Sequence, residues 1–287
     1  MSEWRTIGQA FHALLKRARE GGELAPAWAD FARAAEATRG RPPMHLAILF
    51  DCIAELERGA GGRPLVILEH GCGAGLIAMY LLALGHRGVW GVDVGGDMTG
   101  QNRVLREVLG IHEARFSIYD GRRLSLGDGT ADLVFSQQVL EHVTDDVIDA
   151  YYAEEARILR PGGLAYHQLP HRWGPYDSHS RTWFLHWFPR SVRMAGYRAL
   201  KRNPDYLARI IHLRAPGAHF RRARAFIGPV RDLTVERLTR LPDMTSYEGS
   251  ARLRRMIHAA VRAPVLGPLA GFALKRLAML DTVAVRR

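Results

Sequence analysis

Gly71, Gly73 and Gly75 stand at alternate positions in Ile67-Leu68-Glu69-His70-Gly71-Cys72-Gly73-Ala74-Gly75, between the apolar residues that begin at Leu65 and the helical pattern Leu76-Ile77-Ala78-Met79-Tyr80-Leu81-Leu82. A strand that ends in a glycine turn and runs into a helix offers backbone N–H groups and a positive helix end to a ligand above the sheet. Glycine removes the side chains that would hold the ligand away and tolerates positive φ. A dinucleotide fold wants glycine at the first, third and sixth positions, but counted from Gly71 and Gly73 the sixth residue is Leu76, which argues against NAD. Glu69 argues the same way, because a carboxylate there repels a pyrophosphate and suits an ammonium group. Asp93, closing Val89-Trp90-Gly91-Val92-Asp93, can accept both hydroxyls of a ribose.

Such groups need a sheet to hold them. Short apolar runs at Leu65 to Leu68, Val89 to Val92, Phe116 to Ile118, Leu133 to Ser136 and Leu164 to His167 alternate with helical stretches, which predicts an α/β fold with a doubly wound, mostly parallel sheet. Thr144 is the expected cap of the helix after the fourth run, and Pro161-Gly162-Gly163 its stop. Residues 1–61 read as an N-terminal helical segment, 62–171 as the ligand-binding core, and 172–287 as a basic, largely helical region that completes the sheet. Within the last, Phe188 to Leu200, Arg252 to Val261 and Leu269 to Leu280 are expected helices, and Leu233 to Leu238 and Thr282 to Val285 expected strands.

At this point the chain resembles the class I S-adenosylmethionine-dependent methyltransferases of the small-molecule type. The resemblance rests on Glu69 to Gly75, Asp93, Tyr119-Asp120-Gly121, Ala131 to Ser136 followed by Val139-Leu140-Glu141-His142-Val143, and Arg157 to Gly163, and it covers roughly residues 62–170. It implies S-adenosyl-L-methionine as cofactor, with Gly71 and Gly73 along the methionine part, Glu69 ordering the ammonium end, Asp93 on the ribose, Asp120 on the adenine amino group and Gln137 beside the reacting methyl. Cys72, Val94, Gly121 and Gln138 adjoin these positions and belong to the same expected site.

Transfer from a sulfonium is an in-line displacement in which positive charge on sulfur is lost, so a dry pocket that aligns acceptor and methyl supplies much of the acceleration. A general base is needed only for a hydroxyl or a protonated amine. His142, His171 and His179 are the candidate bases, with His167 and His186 nearby in sequence; a single histidine is more often a hydrogen-bonded packing residue. The stretch His171 to Phe188 is the richest in aromatic and polar side chains and suits a ring-shaped polar acceptor, although its tryptophans could equally be core. A metal site from Asp177, His179 and His186 is conceivable, but magnesium-using oxygen methylation calls for several carboxylates, so no metal is expected.

The net charge of +11 is uneven: residues 1–171 hold 17 Lys+Arg against 22 Asp+Glu, and residues 172–287 hold 23 against 7. A basic half can face phosphates, an anionic membrane surface or an acidic substrate, or simply solvate its own helices. Ser136-Gln137-Gln138-Val139 lacks the Asn/Asp-Pro-Pro-aromatic signature of enzymes that methylate base amines, which makes nucleic acid the weaker partner. The leading acceptor is a small polar molecule such as a sugar or glycan precursor, taken by O-methylation. The alternative is a lipid-linked or quinone-like acceptor met at a membrane surface. Cys52 and Cys72 suggest no disulfide framework or zinc knuckle. With no signal-peptide pattern and no apolar run of about 18 residues, the expected location is cytoplasmic, with the inner face of a membrane as an alternative.

Overall fold

Apolar strands and amphipathic helices assemble as the patterns predict. A computed structural model describes residues 3–95, 97–111, 115–239 and 251–287. Strands β1 (Ile67–His70), β2 (Val89–Asp93), β3 (Phe116–Ile118), β4 (Ala131–Gln137) and β5 (Leu159–Leu169) are mutually parallel where they pair. The short hairpin β6 (Tyr176–Asp177) and β7 (Thr182–Trp183) stands apart, while β8 (Val230–Asp232) and β9 (Leu280–Val285) join the main sheet antiparallel. The resulting order is β3-β2-β1-β4-β5-β9-β8, with the winding reversing between β1 and β4. A crevice at the carboxyl ends of those two strands is where open α/β sheets bind ligands.

Strand alternation divides the core into two layers. Ile67, Leu133, Phe135, Tyr166 and Val283 face α1 (Glu3–Glu20), α2 (Leu24–Glu36), α3 (Ala47–Gly59) and α4 (Leu76–Ala83) through Phe11, Phe31, Leu49 and Met79. Leu68, Val134, Ala165, Leu280 and Ala284 face the other way, toward α6 (Ile148–Ile158), which is the next helix after α5 (Asp97–Val108). The N-terminal helices are thus part of one wall of the sheet.

Beyond the hairpin run α7 (Arg190–Ala199), α8 (Pro204–Ile210), α9 (Pro216–Phe226), α10 (Thr234–Thr239), α11 (Ala251–Arg262) and α12 (Gly267–Leu277). The expected helices here are present, and so is the strand at 282–285. The expected strand at 233–238 is instead α10: the Asp232 carboxylate accepts the Thr234 N–H at 3.1 Å, and Arg237 turns inward to pair with buried Asp281. Thr144 also departs from expectation, since its hydroxyl donates to Asp146 while its backbone carbonyl accepts the Ile148 N–H, and α6 begins only there. Pro161-Gly162-Gly163 does not stop that helix before a strand; it lies within β5 as a bulge, between the pairs Ala131 with Leu159 and Leu133 with Leu164.

Part of the basic half's charge is spent on the acidic half. Arg214 pairs with Asp145 at 2.7 Å, Arg222 with Asp149 at 2.6 Å and Arg231 with Glu55 at 2.9 Å. Among the described residues, no helix is long and apolar enough to cross a membrane.

Candidate active site

The glycine loop sits where the winding reverses. Gly71, Gly73 and Gly75 all take positive φ, at 85°, 53° and 79°, and Gly75 is the residue from which α4 springs. The Gly71 and Cys72 N–H groups both donate to the Val92 carbonyl, at 2.8 and 2.9 Å, which ties the loop to β2. Cys72 is buried, and burial pushes its thiol up.

Three acids surround this loop. Glu69 is buried on β1 and accepts the Ala78 N–H at 2.9 Å. Burial pushes its carboxyl up to about 8, against the lowering effect of that N–H and with a further rise from Asp93. Asp93 accepts from the Gly73 N–H at 2.7 Å and from the Val94 N–H at 2.8 Å, one bond on each oxygen. Each carboxylate oxygen keeps a second lone-pair site, so neither bond prevents a ribose hydroxyl from donating. Asp120 is exposed and accepts the Arg123 and Arg122 N–H groups at 2.9 and 2.8 Å, which hold it below the usual carboxylate range.

Apolar side chains stand between the last two acids in the chain. Val94 and Ile118 are exposed, and a Cβ on Gly121 would touch Val94 at 3.5 Å. Gln137 takes a different direction from its neighbour: its amide donates to the His45 carbonyl at 2.9 Å on the face covered by the N-terminal helices. Gln138 follows with φ of 55°, and this left-handed residue turns the chain out of β4.

That turn carries Glu141 and His142, and residues far along the chain hold it. Arg214 donates to the Leu140 and Val143 carbonyls at 2.9 and 2.6 Å, and the His212 N–H donates to the Glu141 carbonyl at 2.6 Å. His142 donates Nδ1–H to the Ile210 carbonyl at 2.7 Å. Burial holds its imidazole below the ordinary value. From the hairpin side, His179 donates Nδ1–H to Asp177 at 3.2 Å, and the two imidazoles meet edge to face at 4.9 Å. Asp177 raises the His179 imidazole. Asp177 itself is buried; burial alone would raise it, but His179 and Ser180 outweigh that and bring it down to about 2.

Of the expected histidines, two therefore converge. His171 is held elsewhere: its Nδ1 accepts the Trp173 N–H at 3.1 Å and its Nε2–H donates to the Ala278 carbonyl at 2.8 Å, so both ring nitrogens serve the backbone. His167 donates to Glu155 at 2.7 Å inside the core, and His186 donates to the Gly174 carbonyl at 2.8 Å. Glu141 was given no role by sequence reasoning. Its only signal was the Glu-His pair directly after the fourth strand. Burial pushes its carboxyl up to about 7.

The aromatic stretch forms the β6/β7 hairpin and the turn after it. Tyr176 lies 5.1 Å from Trp183, and Trp173, Trp183, Phe184 and Phe188 are all exposed, so these rings are not core. Under the hairpin, a cavity of about 210 Å³ is lined by Arg172, Asp177, Arg193, Tyr197 and His212 among others.

Residues 67–163 match the family model described as a methyltransferase domain. Together with the strand order, the match identifies residues 67–163 as a methyltransferase domain on a Rossmann-like sheet. S-adenosylmethionine is the cofactor that the sequence motifs imply for such a domain. The donor set described above fits that group, a cationic nucleoside that needs carboxylates, a bare backbone floor and apolar side chains.

Among solved structures, the chain is similar to a Pyrococcus horikoshii OT3 protein at 24% identity, covering 42% of this chain and 55% of that one, with a TM-score of 0.33. It is similar to the Haemonchus contortus phosphoethanolamine N-methyltransferase 2 at 19% identity, covering 82% and 52%, with a TM-score of 0.43. A Mesorhizobium loti S-adenosylmethionine-dependent methyltransferase is 20% identical over 81% and 96%, also at 0.43. The chain thus spans about half the length of the first two. No curated protein sequence matches it.

Proposed function

We propose that the protein transfers a methyl group to a hydroxyl of a small polar acceptor, such as a sugar or glycan precursor. Glu69 orders the cofactor's ammonium group, Gly71, Cys72 and Gly73 line its methionine part, Asp93 and Val94 meet the ribose, and Asp120 and Gly121 meet the adenine. Gln137 and Gln138 close the end of β4 nearest the sulfonium. The observation that carries the reading is the tethering of both imidazoles by Nδ1, His142 to the Ile210 carbonyl and His179 to Asp177, which leaves each Nε2 turned toward Glu141. A hydroxyl needs its proton taken as the methyl arrives, and this cluster is a place for it. The exposed aromatic hairpin and the polar cavity beneath it offer faces and donors for an acceptor ring.

The test is incubation of the purified enzyme and S-adenosylmethionine with candidate sugars and cell extracts, followed by mass spectrometry for products heavier by one methyl. An oxygen-methylated polar product supports the reading; methylation confined to nitrogen or carbon sinks it.

A specific feature favours a second reading, in which the acceptor is carried on lipid. Trp183 and Phe188 on one segment, and Met256 on α11, Val265 in the turn after it, and Leu269 and Phe272 on α12, expose large apolar side chains near arginines in the chain. Such a surface binds anionic interfaces. Co-sedimentation with anionic but not zwitterionic vesicles, lost at high salt, supports it.

A further inference from the structure

The Glu141 carboxylate has been taken out of water and given nothing in return. Its side chain is fully buried, and neither oxygen has a hydrogen-bond partner. Burying a carboxylate without donors is costly enough that such a group in a native fold calls for an explanation, and an ion is one of the few available. Its surroundings supply that explanation. One ligand atom each from Glu141, His142 and His179 lies within 4.8 Å of the other two, and among the described residues this is the group of metal-binding side chains that converges so.

The separations are too long for hydrogen bonds and suited to coordination. Glu141 Oε1 is 3.9 Å from His142 Nε2 and 3.7 Å from His179 Nε2. A tetrahedral cation with bonds of about 2.1 Å spaces its ligands about 3.4 Å apart, so both carboxylate–imidazole separations need only a few tenths of an ångström of closure. The outer layer is also built. A ligating imidazole ordinarily donates its other N–H to a carbonyl or carboxylate, which fixes the tautomer and aims the free lone pair. His142 does so with the Ile210 carbonyl and His179 with Asp177, and Asp177 is in turn held by the Ser180 hydroxyl at 2.5 Å. His212 and Arg214 fix the Glu141 backbone from the C-terminal half.

We propose that Glu141, His142 and His179 hold a divalent first-row transition cation. Two imidazoles and one carboxylate favour such an ion over magnesium or calcium, which prefer all-oxygen shells. The His142 and His179 side chains remain 39% and 19% exposed, so the wet side of the ion keeps positions free. Resting on the hydroxyl-methylation reading above, those positions take the acceptor oxygen. With the ion bound the two imidazoles act as ligands instead of bases: the coordinated hydroxyl gives its proton to water more readily, the oxygen–methyl bond forms, and the methyl–sulfur bond breaks with its electron pair left on sulfur.

The test uses the full chain, treated with chelator and titrated with Co²⁺ while its visible absorption is followed. One Co²⁺ per chain is expected, with bands of a four- or five-coordinate ion, displaced by Zn²⁺ and not by equal Mg²⁺. Glu141→Gln, close in shape, abolishes the bands, and Asp177→Asn weakens binding about 10- to 100-fold. His171→Ala leaves binding unchanged. Calorimetry with S-adenosylmethionine on the same samples separates the two ideas. No Co²⁺ bands in a protein that binds the cofactor overturns the cation site alone. A cation without oxygen methylation leaves the site standing and overturns its proposed use. Bands that survive Glu141→Gln also overturn the site.

Discussion

A Cβ placed on Gly71 would lie 2.5 Å from Cγ2 of Val139, so the turn that carries Glu141 and His142 rests directly on the cofactor loop. Gly71→Ala must displace that valine and also hold alanine at φ of 85°. We expect a stability loss of about 1–3 kcal/mol from overpacking alone, read by urea denaturation. S-adenosylmethionine affinity should fall about tenfold or more, since each 1.4 kcal/mol is a factor of ten. Adding Val139→Ala should recover part of the stability and leave the φ strain. Unchanged cofactor affinity in Gly71→Ala would remove the proposed role of the loop.

On the proposed reading, in which Glu69 orders the cofactor's ammonium group, cofactor binding is a proton-linked event. Without ligand the Glu69 carboxyl stands near 8, so at pH 7 it is largely protonated; an ammonium group beside it favours the charged form, and binding releases up to one proton. Calorimetry in buffers of different ionisation enthalpy measures this release, and Glu69→Gln should abolish it. The sign for stability follows. A carboxyl raised in the folded state contributes fully below its unfolded value of about 4.5, and that contribution is lost as pH rises through about 8. The ligand-free protein should therefore lose stability relative to Glu69→Gln across that interval.

Glu155 has the opposite linkage. It is buried between His70 and His167, accepting from them at 3.0 and 2.7 Å. Burial would raise its carboxyl, but the two imidazoles outweigh it and bring it down to about 2. Its contribution is present above about 4.5 and lost as pH falls toward 2. Glu155→Ala leaves two buried donors without an acceptor, and we expect about 3–5 kcal/mol of destabilisation. Chemical denaturation at neutral pH checks the magnitude, and repeating it toward pH 2 should show the difference shrinking.

Asp281 anchors the sheet's antiparallel edge. It pairs with buried Arg237 and accepts from Tyr166 at 2.8 Å and Gln168 at 2.9 Å. Asp281→Ala removes the carboxylate opposite the buried Arg237 guanidinium and should cost about 3–5 kcal/mol. Hydrogen exchange should show the amides of β9 and β8 opening first.

How much of this was legible in the sequence depends on where each signal resides. The strands around the cofactor loop are buried on both faces, so they read as plain apolar runs, and Leu133 to Ser136 falls inside β4. The acids at 69, 93 and 120 flank those runs and were equally visible. Where a partner comes from far along the chain, the reading failed. Residues 233–238 read as a strand, and only Asp281, 44 positions beyond Arg237, reveals that this arginine points inward from a helix. Glu141 stood in the sequence only as a motif residue beside His142, and the partner that gives it a role, His179, comes from 38 positions on. His171 has the residue type of a base and neighbours that make it a strut.

The strand order fixes a sequence of events in time as well as in space. β9 lies between β5 and β8, yet it follows β5 by about 110 residues. At a synthesis rate of roughly 5–20 residues per second, the growing polypeptide carries an open β5 edge for on the order of 5–20 s. For that interval the half-made sheet is sticky along one side, and whatever shields it in the cell governs how much enzyme is obtained.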